Sequence, residues 1–229
     1  MTPWDLLGAT STAAGDDLRL MRRGGEYVIF ANGASLMSSR MHGSEEALAS
    51  FGCRNARTRP RPTVLIGGLG MGFTLRATLD LLPADALVIV SELVPAVVEW
   101  NRGPLGALAG HPLGDRRVRV ELRDVALTLE GAMGRFDAVL LDIDNGPAPV
   151  TSAGNAAVYG DSGIAAIRTA LAPDGVVAVW SAWEDRRFEQ RLRYGGFTVR
   201  VERVRARLAR GGPRHTIFIG WRQADHDGR

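Results

Sequence analysis

The sequence predicts a doubly wound α/β domain with a mostly parallel seven-stranded sheet, preceded by a small β-rich segment. Three observations predict this fold class. Beyond residue 61, short apolar runs alternate with helical patterns, which is typical of parallel strands joined by helices. A glycine-rich turn follows the first of these strands. The last two strands are joined by a loop containing Gly-Gly-Pro with no helix between them, so the last strand is predicted to be antiparallel.

The N-terminal segment, residues 1–60, is predicted to be a small domain that ends in the Pro- and Arg-rich linker 54–62. Residues 1–16 are mainly small and polar and are expected to be a loose lead-in. Apolar runs separated by Gly-containing turns then indicate strands, and an apolar stretch with two acidic residues in its first turn indicates a helix. The predicted elements are strands at 18–21, 27–30 and 34–37 and a helix at 44–51.

The second domain, residues 61–229, carries the alternating pattern. Its predicted strands are 63–67, 87–91, 117–122, 137–142, 175–181, 197–203 and 215–221. Its predicted helices are 73–82, 94–101, 125–132, 160–171 and 184–194. This order places helices on both faces of the sheet.

Composition excludes several function classes. All 28 basic residues are arginine, and the absence of lysine excludes a Walker-type phosphate loop, a pyridoxal Schiff base and a lysine general base. The single cysteine, Cys53, allows no disulfide within the chain, and no secretory signal pattern is present, so we expect a cytoplasmic protein. No apolar run reaches the ~18 residues of a membrane span, and the histidines lack metal-ligand spacing. Neither a membrane nor a metal is expected.

The glycine-rich turn is the strongest functional signal. It lies in Val64-Leu-Ile-Gly-Gly-Leu-Gly-Met-Gly-Phe73, where Gly68, Gly70 and Gly72 stand between a predicted strand and a predicted helix. Such a turn holds nucleotide-bearing cofactors at the helix N-terminus, because glycines let the ligand approach the backbone. The motif alone could also be a purely structural turn.

Carboxylates stand at the ends of the next three strands, where open α/β sheets bind their ligands. Glu92 ends the second strand, where a carboxylate can accept hydrogen bonds from both ribose hydroxyls. Asp124 follows the third strand and is placed to accept from an adenine amino group. Asp142 follows the fourth strand, with Asp144 just beyond.

Each of these carboxylates also has a structural alternative. Glu92 and Asp124 could cap the helices that follow them, and Asp142 and Asp144 could fix their loop through Asx turns. A glycine-rich turn and three carboxylates at four successive strand ends favour a binding site over four coincidences.

Five motifs carry a family resemblance. They are Gly68-Leu-Gly-Met-Gly72 with Thr74-Leu-Arg76, Ser91-Glu-Leu93, Arg123-Asp124, Leu140-Leu-Asp-Ile-Asp144 with Gly146-Pro147, and Val158-Tyr159. Together with the N-terminal strands they resemble the polyamine aminopropyltransferases, a spermidine synthase-like family on the class I AdoMet-dependent methyltransferase fold. The resemblance covers nearly the whole chain.

The resemblance implies a metal-free transferase of polyamine biosynthesis that moves an aminopropyl group from decarboxylated AdoMet to an amine. By resemblance, Asp142 accepts the amine proton, Tyr159 positions the amine, and Asp144 or Glu46 holds a remote ammonium of a diamine. The donor-binding residues implied in the same way are Gly68, Gly70, Gly72, Glu92 and Asp124. We also expect a homodimer, with Trp4 as a candidate contact.

Three departures from the family pattern leave alternatives open. Met71 stands where the family has an acidic residue, Ser44-Glu45-Glu46 replaces its Tyr-His-Glu stretch, and Asn145-Gly146 lengthens its catalytic loop. The alternatives are an AdoMet-dependent methyltransferase acting on a small molecule or RNA, and a non-catalytic protein that binds a nucleoside or polyamine.

Two aromatic and charged features are ambiguous. Trp180 and Trp183 could wall a pocket or simply pack. The arginine-rich end of the chain could contact RNA or be the solvated edge of a hairpin, and its lack of interleaved aromatic residues favours the edge. Nucleic acid is therefore not expected as a partner. The arginines concerned are Arg200, Arg203, Arg205, Arg207, Arg210 and Arg214.

Overall fold

The structure is a computed structural model that describes residues 3–143, 146–147, 156–207 and 212–222. Its N-terminal part is a four-stranded antiparallel sheet in the order β1-β2-β3-β4. These strands are β1 (Asp5–Ser11), β2 (Asp17–Arg23), β3 (Glu26–Ala31) and β4 (Ala34–Ser38).

The second sheet has seven strands in the order β10-β11-β9-β8-β5-β6-β7. Its strands are β5 (Thr63–Gly67), β6 (Leu87–Glu92), β7 (Val118–Leu122), β8 (Phe136–Leu141), β9 (Leu171–Ser181), β10 (Phe197–Arg205) and β11 (Arg214–Arg222). The last strand, β11, is antiparallel to both of its neighbours, and the other neighbouring pairs are parallel. The predicted fold class is confirmed.

Seven α-helices are described. They are α1 (Gly43–Gly52), α2 (Phe73–Leu81), α3 (Pro95–Arg102), α4 (Val125–Leu129), α5 (Ala156–Tyr159), α6 (Asp161–Ala170) and α7 (Arg186–Tyr194). None of these helices is long and apolar enough to cross a membrane.

Two apolar layers sandwich the large sheet because its central strands are apolar on both faces. Along β5, Val64 and Ile66 face the layer formed by α1, α2, α3 and the N-terminal sheet. Leu65, between them, faces the layer formed by α4 to α7. This alternation follows from the two-residue period of a strand, and it explains why the strands read as continuous apolar runs.

The main differences from the sequence prediction lie at β1, α4 and β9. Strand β1 lies within the predicted lead-in and pairs with β2, with an irregular register between Leu6 and Gly8. Its Gly8 lies against the Trp100 indole. This position depends on a distant contact rather than on local apolar alternation. Helix α4 ends three residues early, and β9 begins four residues early, at Leu171, with an irregular register before Val176.

Helix α1 ties the N-terminal segment to the large sheet. It packs on β8, β9 and α2, although the predicted boundary assigns it to the first domain. Leu48 of α1 is fully buried in the same apolar layer as Leu20 and Ile29 of the N-terminal sheet. One core therefore runs beneath both sheets, and the boundary at residues 60/61 stays a prediction.

The packing of α1 against the large sheet is tested by Gly52→Ala. Alanine is the better helix former by about 1 kcal/mol, but the new Cβ would overlap the Leu140 δ-methyl and lie 3.1 Å from Ala178 Cβ. Overpacking a buried contact costs about 1–3 kcal/mol, so we expect a net loss in the free energy of unfolding, measured by urea denaturation. Gly25→Ala is the control, because a Cβ there meets nothing within 4 Å. Equal stability of both variants would contradict this packing.

Candidate functional site

The glycine-rich turn connects β5 to α2 and packs against the end of β8. Gly68, Gly70 and Gly72 have φ values of 87°, 53° and 82°. At Gly68 glycine is required twice, by this left-handed φ and because a Cβ would overlap the Asp142 carbonyl oxygen. Asn101 Nδ2 donates to the Gly70 carbonyl oxygen at 2.8 Å, which fixes the far side of the turn.

A cavity of about 260 Å³ lies over this turn. We call it the donor cavity, after the donor-binding role that the sequence resemblance predicts for residues in its wall. Its floor is the turn and the ends of β6, β7 and β8, and its roof is the N-terminal sheet, including Leu18, Ile29 and Met37. The sequence-predicted residues that line it are Gly68, Gly70, Glu92, Asp124 and Asp142. Gly72 does not line it but stands at the N-cap of α2.

The capping alternative is realised for Asp124 but not for Glu92, because the N-cap of α3 is Val94. The two oxygens of Glu92 accept from the backbone N–H groups of Leu69 and Val94, each at 2.8 Å, and Asp124 caps α4 by accepting from the Ala126 N–H at 2.8 Å. A carboxylate has about four acceptor positions, so the bond from Ala126 leaves Asp124 room for a ligand. The two residues therefore shape the donor cavity and also line it.

A second cavity, of about 140 Å³, lies beside the first. We call it the acceptor cavity, after the amine acceptor that the sequence resemblance predicts. Its wall is mainly apolar, with Met41, Met71, Phe73 and Trp180 among its residues. Its ionisable side chains in the described part of the chain are Glu45, Asp142 and His215. The two cavities share Leu36, Met37, Gly70 and Asp142, so a molecule in one meets a molecule in the other at Asp142.

Asp142 is a strongly desolvated carboxyl held by two neighbours. Its backbone N–H donates to the Gly67 carbonyl oxygen at 2.9 Å, and Thr74 Oγ1 donates to its Oδ2 at 2.5 Å. Burial raises the pKa of Asp142 to about 6, against the lowering effect of the Thr74 bond. The group therefore titrates near neutrality, as an acid–base catalyst requires.

Glu45 on α1 faces Asp142 across the acceptor cavity. Burial, and next the charge of Asp142, raise the pKa of Glu45 to about 8, although a bond from Ser44 opposes the rise. Ser44 Oγ donates to Glu45 Oε2 at 2.6 Å and lies 2.8 Å from Nδ1 of His215. Two like-charged groups in one apolar site do not both ionise readily, so the pair retains a proton at neutral pH.

The residue on α1 that the sequence analysis named, Glu46, is not in this site. It bonds to His42, with Oε1 2.8 Å from Nδ1, and lines neither cavity. Successive helix residues diverge by about 100°, and the buried face of α1 carries Ser44, Leu48 and Gly52. Glu45 stands on the edge of that face with the buried Ala49, and this spacing could have identified it.

Tyr159 and Asp144 complete the set of predicted acceptor residues. Tyr159 is 2% exposed, packs edge-on against Phe188 and donates to the Ile143 carbonyl oxygen at 3.4 Å. It lines neither cavity, because its ring belongs to the opposite apolar layer of the sheet. Asp144 lies outside the described residues.

His215 on β11 is the main residue that sequence reasoning missed. Burial lowers its pKa, and its ring packs edge-on against Trp180 at 4.6 Å. His215 and Ser44 are 171 positions apart in the sequence, so it is the sheet topology that brings them together. Of the two ambiguous tryptophans, Trp180 lines the acceptor cavity and Trp183 is 48% exposed.

Several remaining features have structural partners. Arg203 pairs with Glu184, and Arg200 pairs with Glu202, as expected at a solvated hairpin edge. Trp4, the candidate dimer contact, packs against Phe30 of its own chain, and the homodimer stays a prediction. No group of three metal-ligating side chains occurs in the part of the chain that the structure describes.

Comparison with known proteins shows similarity in fold to solved structures. No protein-family model matches the chain, and no curated protein matches it in sequence. A spermidine synthase in complex with the transition-state analogue AdoDATO superimposes with a TM-score of 0.74 at 17% identity, over 96% of this chain and 73% of that one. The spermidine synthase from Thermotoga maritima gives a TM-score of 0.72 at 17% identity, over 96% and 74%. The chain therefore has a spermidine synthase-like fold, as the motifs predicted.

The raised pKa of Glu45 predicts a pH-dependent stability. Below its ordinary value of 4.5, Glu45 is protonated in both the folded and unfolded states. Between that value and about 8, the unfolded state releases the proton and the folded state retains it, so the stabilising contribution is lost as pH rises. Urea denaturation across about pH 5 to 9 should show wild type losing stability with pH relative to Glu45→Gln. Parallel curves for the two proteins would contradict the assigned burial.

Proposed function

We propose that this protein transfers an aminopropyl group from decarboxylated AdoMet to an amine acceptor. The observation that carries the proposal is the meeting of two cavities at Asp142. A nucleoside fits against the turn and the strand ends that carry Glu92 and Asp124. An amine in the neighbouring cavity then approaches the reacting carbon beside a carboxyl group that can take its proton.

The charge of the walls favours the decarboxylated donor over AdoMet. Among the residues described, Arg123 is the only arginine of the donor cavity, and its guanidinium donates to the Leu127 carbonyl oxygen at 2.5 Å, near the adenine position. The shared wall instead presents Asp142, with Glu45 behind it. A carboxylate on the donor tail would be repelled there, whereas an ammonium would be attracted. The acidic residues of the donor wall are Asp16, Glu92, Asp124 and Asp142.

Met71 alters the acceptor side rather than the donor side. It stands where the family that the sequence resembles has an acidic residue, yet its side chain lines the acceptor cavity and not the donor cavity. The carboxyl pair of Glu45 and Asp142 remains to attract the amine. The substitution therefore leaves the preference for a cationic donor tail in place.

The mechanism that these residues support is an in-line displacement. An alkyl ammonium cannot attack, so Asp142 takes one proton from it and frees the nitrogen lone pair. The C–N bond forms as the C–S bond breaks. The electron pair of the C–S bond passes to sulfur, which becomes a neutral thioether. The product nitrogen carries the positive charge, and one proton per turnover is left for release. Tyr159 supports Ile143, the neighbour of Asp142, rather than touching the amine.

Donor choice is tested by calorimetric titration with decarboxylated AdoMet, AdoMet and methylthioadenosine. We expect methylthioadenosine to bind and decarboxylated AdoMet to bind at least about tenfold more tightly than AdoMet, equivalent to about 1.4 kcal/mol. Preference for AdoMet would instead indicate methyl transfer. Binding of none of the three would remove the proposed function and leave the fold.

Asp124→Ser is the matched variant for this titration. Serine caps a helix about as well as aspartate, so stability should change little, but its shorter side chain cannot reach the adenine amino group. We expect the affinity for methylthioadenosine to fall about tenfold, the cost of one good hydrogen bond. Unchanged affinity would refute the site.

The role of Asp142 is tested by Asp142→Asn, which keeps its shape and removes the base. We expect transfer to fall by about 10²-fold or more, with donor affinity nearly unchanged. Single-turnover assays with a panel of amines would measure the transfer rate, and calorimetry would measure the donor affinity. Donor binding without transfer by the wild type would instead support the non-catalytic alternative, and transfer by the variant at the wild-type rate would exclude Asp142 as the base.

A further inference from the structure

A chain of hydrogen bonds leads from the acceptor cavity to the last strand of the sheet. Glu45 Oε2 lies 2.6 Å from Ser44 Oγ, which lies 2.8 Å from Nδ1 of His215. Ser44 is fully buried, and Glu45 and His215 both line the cavity. The Ser44 hydroxyl links the two ionisable groups, because it bonds to each of them.

We propose that Ser44 and His215 form a proton relay for Glu45. A proton on Glu45 passes to Ser44 Oγ while the hydroxyl proton of Ser44 passes to Nδ1 of His215. The imidazole then releases a proton from Nε2 to water, which leaves Glu45 ionised, Ser44 donating to it and the imidazole proton on Nδ1. When Glu45 is protonated again, the imidazole returns to the Nε2–H tautomer by gaining one proton from water at Nε2 and losing the one on Nδ1, so each cycle moves one proton from Glu45 to water. The role of this relay in turnover rests on the proposed function, whereas the relay itself does not.

The need for such a route follows from the proton balance of amine alkylation. Each turnover releases one proton, and Asp142 receives it in a desolvated site. The charge of Asp142 raises the pKa of Glu45, so the two carboxyls titrate as a pair, and a proton held on one makes the other easier to ionise. Unless that proton leaves, the pair cannot accept the next one.

The direction of the bonds ties the imidazole tautomer to the charge of Glu45. When Glu45 is ionised, Ser44 donates to it, and the serine oxygen accepts the Nδ1–H of His215. When Glu45 is protonated, it donates to Ser44, whose hydroxyl then donates to a bare Nδ1. The imidazole proton then sits on Nε2.

Among the charged groups near His215, Glu45 has the most direct connection to the imidazole, through Ser44. From α1 His215 faces Ser44 and, through it, Glu45, and Asp142 lies across the same cavity. From β9 it meets the uncharged Trp180 ring, and its partner on β10 is Val204. Arg203 and Arg205, which flank Val204, lie on the opposite face of the strand by alternation. Burial lowers the pKa of His215, so the ring is neutral near pH 7 and able to accept a proton.

Nitrogen NMR of histidine side chains tests the relay in the ligand-free protein. Spectra of ¹⁵N-histidine-labelled protein from about pH 6.5 to 9.5 should show His215 changing from the Nε2–H to the Nδ1–H tautomer, with a midpoint near the pKa of Glu45, about 8. His215→Gln assigns the resonances by their loss. Ser44→Ala should abolish the change, whereas Ser50→Ala, an exposed hydroxyl on the same helix, should preserve it.

Two results would overturn the proposal: a constant tautomer in the wild type, or a pH-dependent change that persists in Ser44→Ala. If Ser44→Ala does not fold, Glu45→Gln carries the test, because it keeps Ser44 and must also abolish the change.

Transfer assays separate the relay from the proposed function. We expect Ser44→Ala to slow transfer about tenfold in dilute buffer, with recovery on adding imidazole. The tautomer change without donor binding would remove the proposed function and keep the relay. Transfer without the tautomer change would remove the relay alone.

Discussion

The contact between the glycine-rich turn and the end of β8 is the constraint on which the site depends. Gly68 lies against the Asp142 carbonyl oxygen, too close for any Cβ, and the Asp142 N–H bonds to Gly67. Thr74, in the first turn of α2, donates to the same carboxyl group. One local packing arrangement therefore sets the floor of the donor cavity and aims Asp142 at the point where both cavities meet.

The N-terminal segment completes this site instead of forming a separate appendage. Its sheet roofs the donor cavity, and α1 brings Glu45 to the acceptor cavity. Because the apolar layer beneath it is continuous with that of the large sheet, the roof and the floor are held by the same core. In the proposed reaction, a roof fixed in this way shields the reacting groups from water, which strengthens their electrostatic interactions.

Elements set by local sequence could be predicted, whereas elements set by contacts between distant residues could not. Strands β5 and β6 and the turn after β5 were predictable, because apolar runs and glycines report on local backbone geometry. Strand β1 could not be predicted, because its position depends on the contact between Gly8 and Trp100. On α1 the family pattern pointed to Glu46, whereas the buried face selects Glu45. His215 joins the site only through the antiparallel placement of β11 between β9 and β10.

The carboxyl pair of Glu45 and Asp142 is difficult to explain as a device for stability. Both groups are desolvated, and the charge of Asp142 raises the pKa of Glu45 further, so ionising them costs the folded state free energy. Apolar residues of similar size would fill the same space at lower cost, as substitutions of buried ion pairs in other proteins show. Carboxyls with perturbed pKa values in a cavity are typical of functional sites, which supports the proton transfer proposed for this pair. Ser44 donates to Glu45 and acts to lower its pKa, which favours the ionised form and argues against a carboxyl that is only meant to stay neutral.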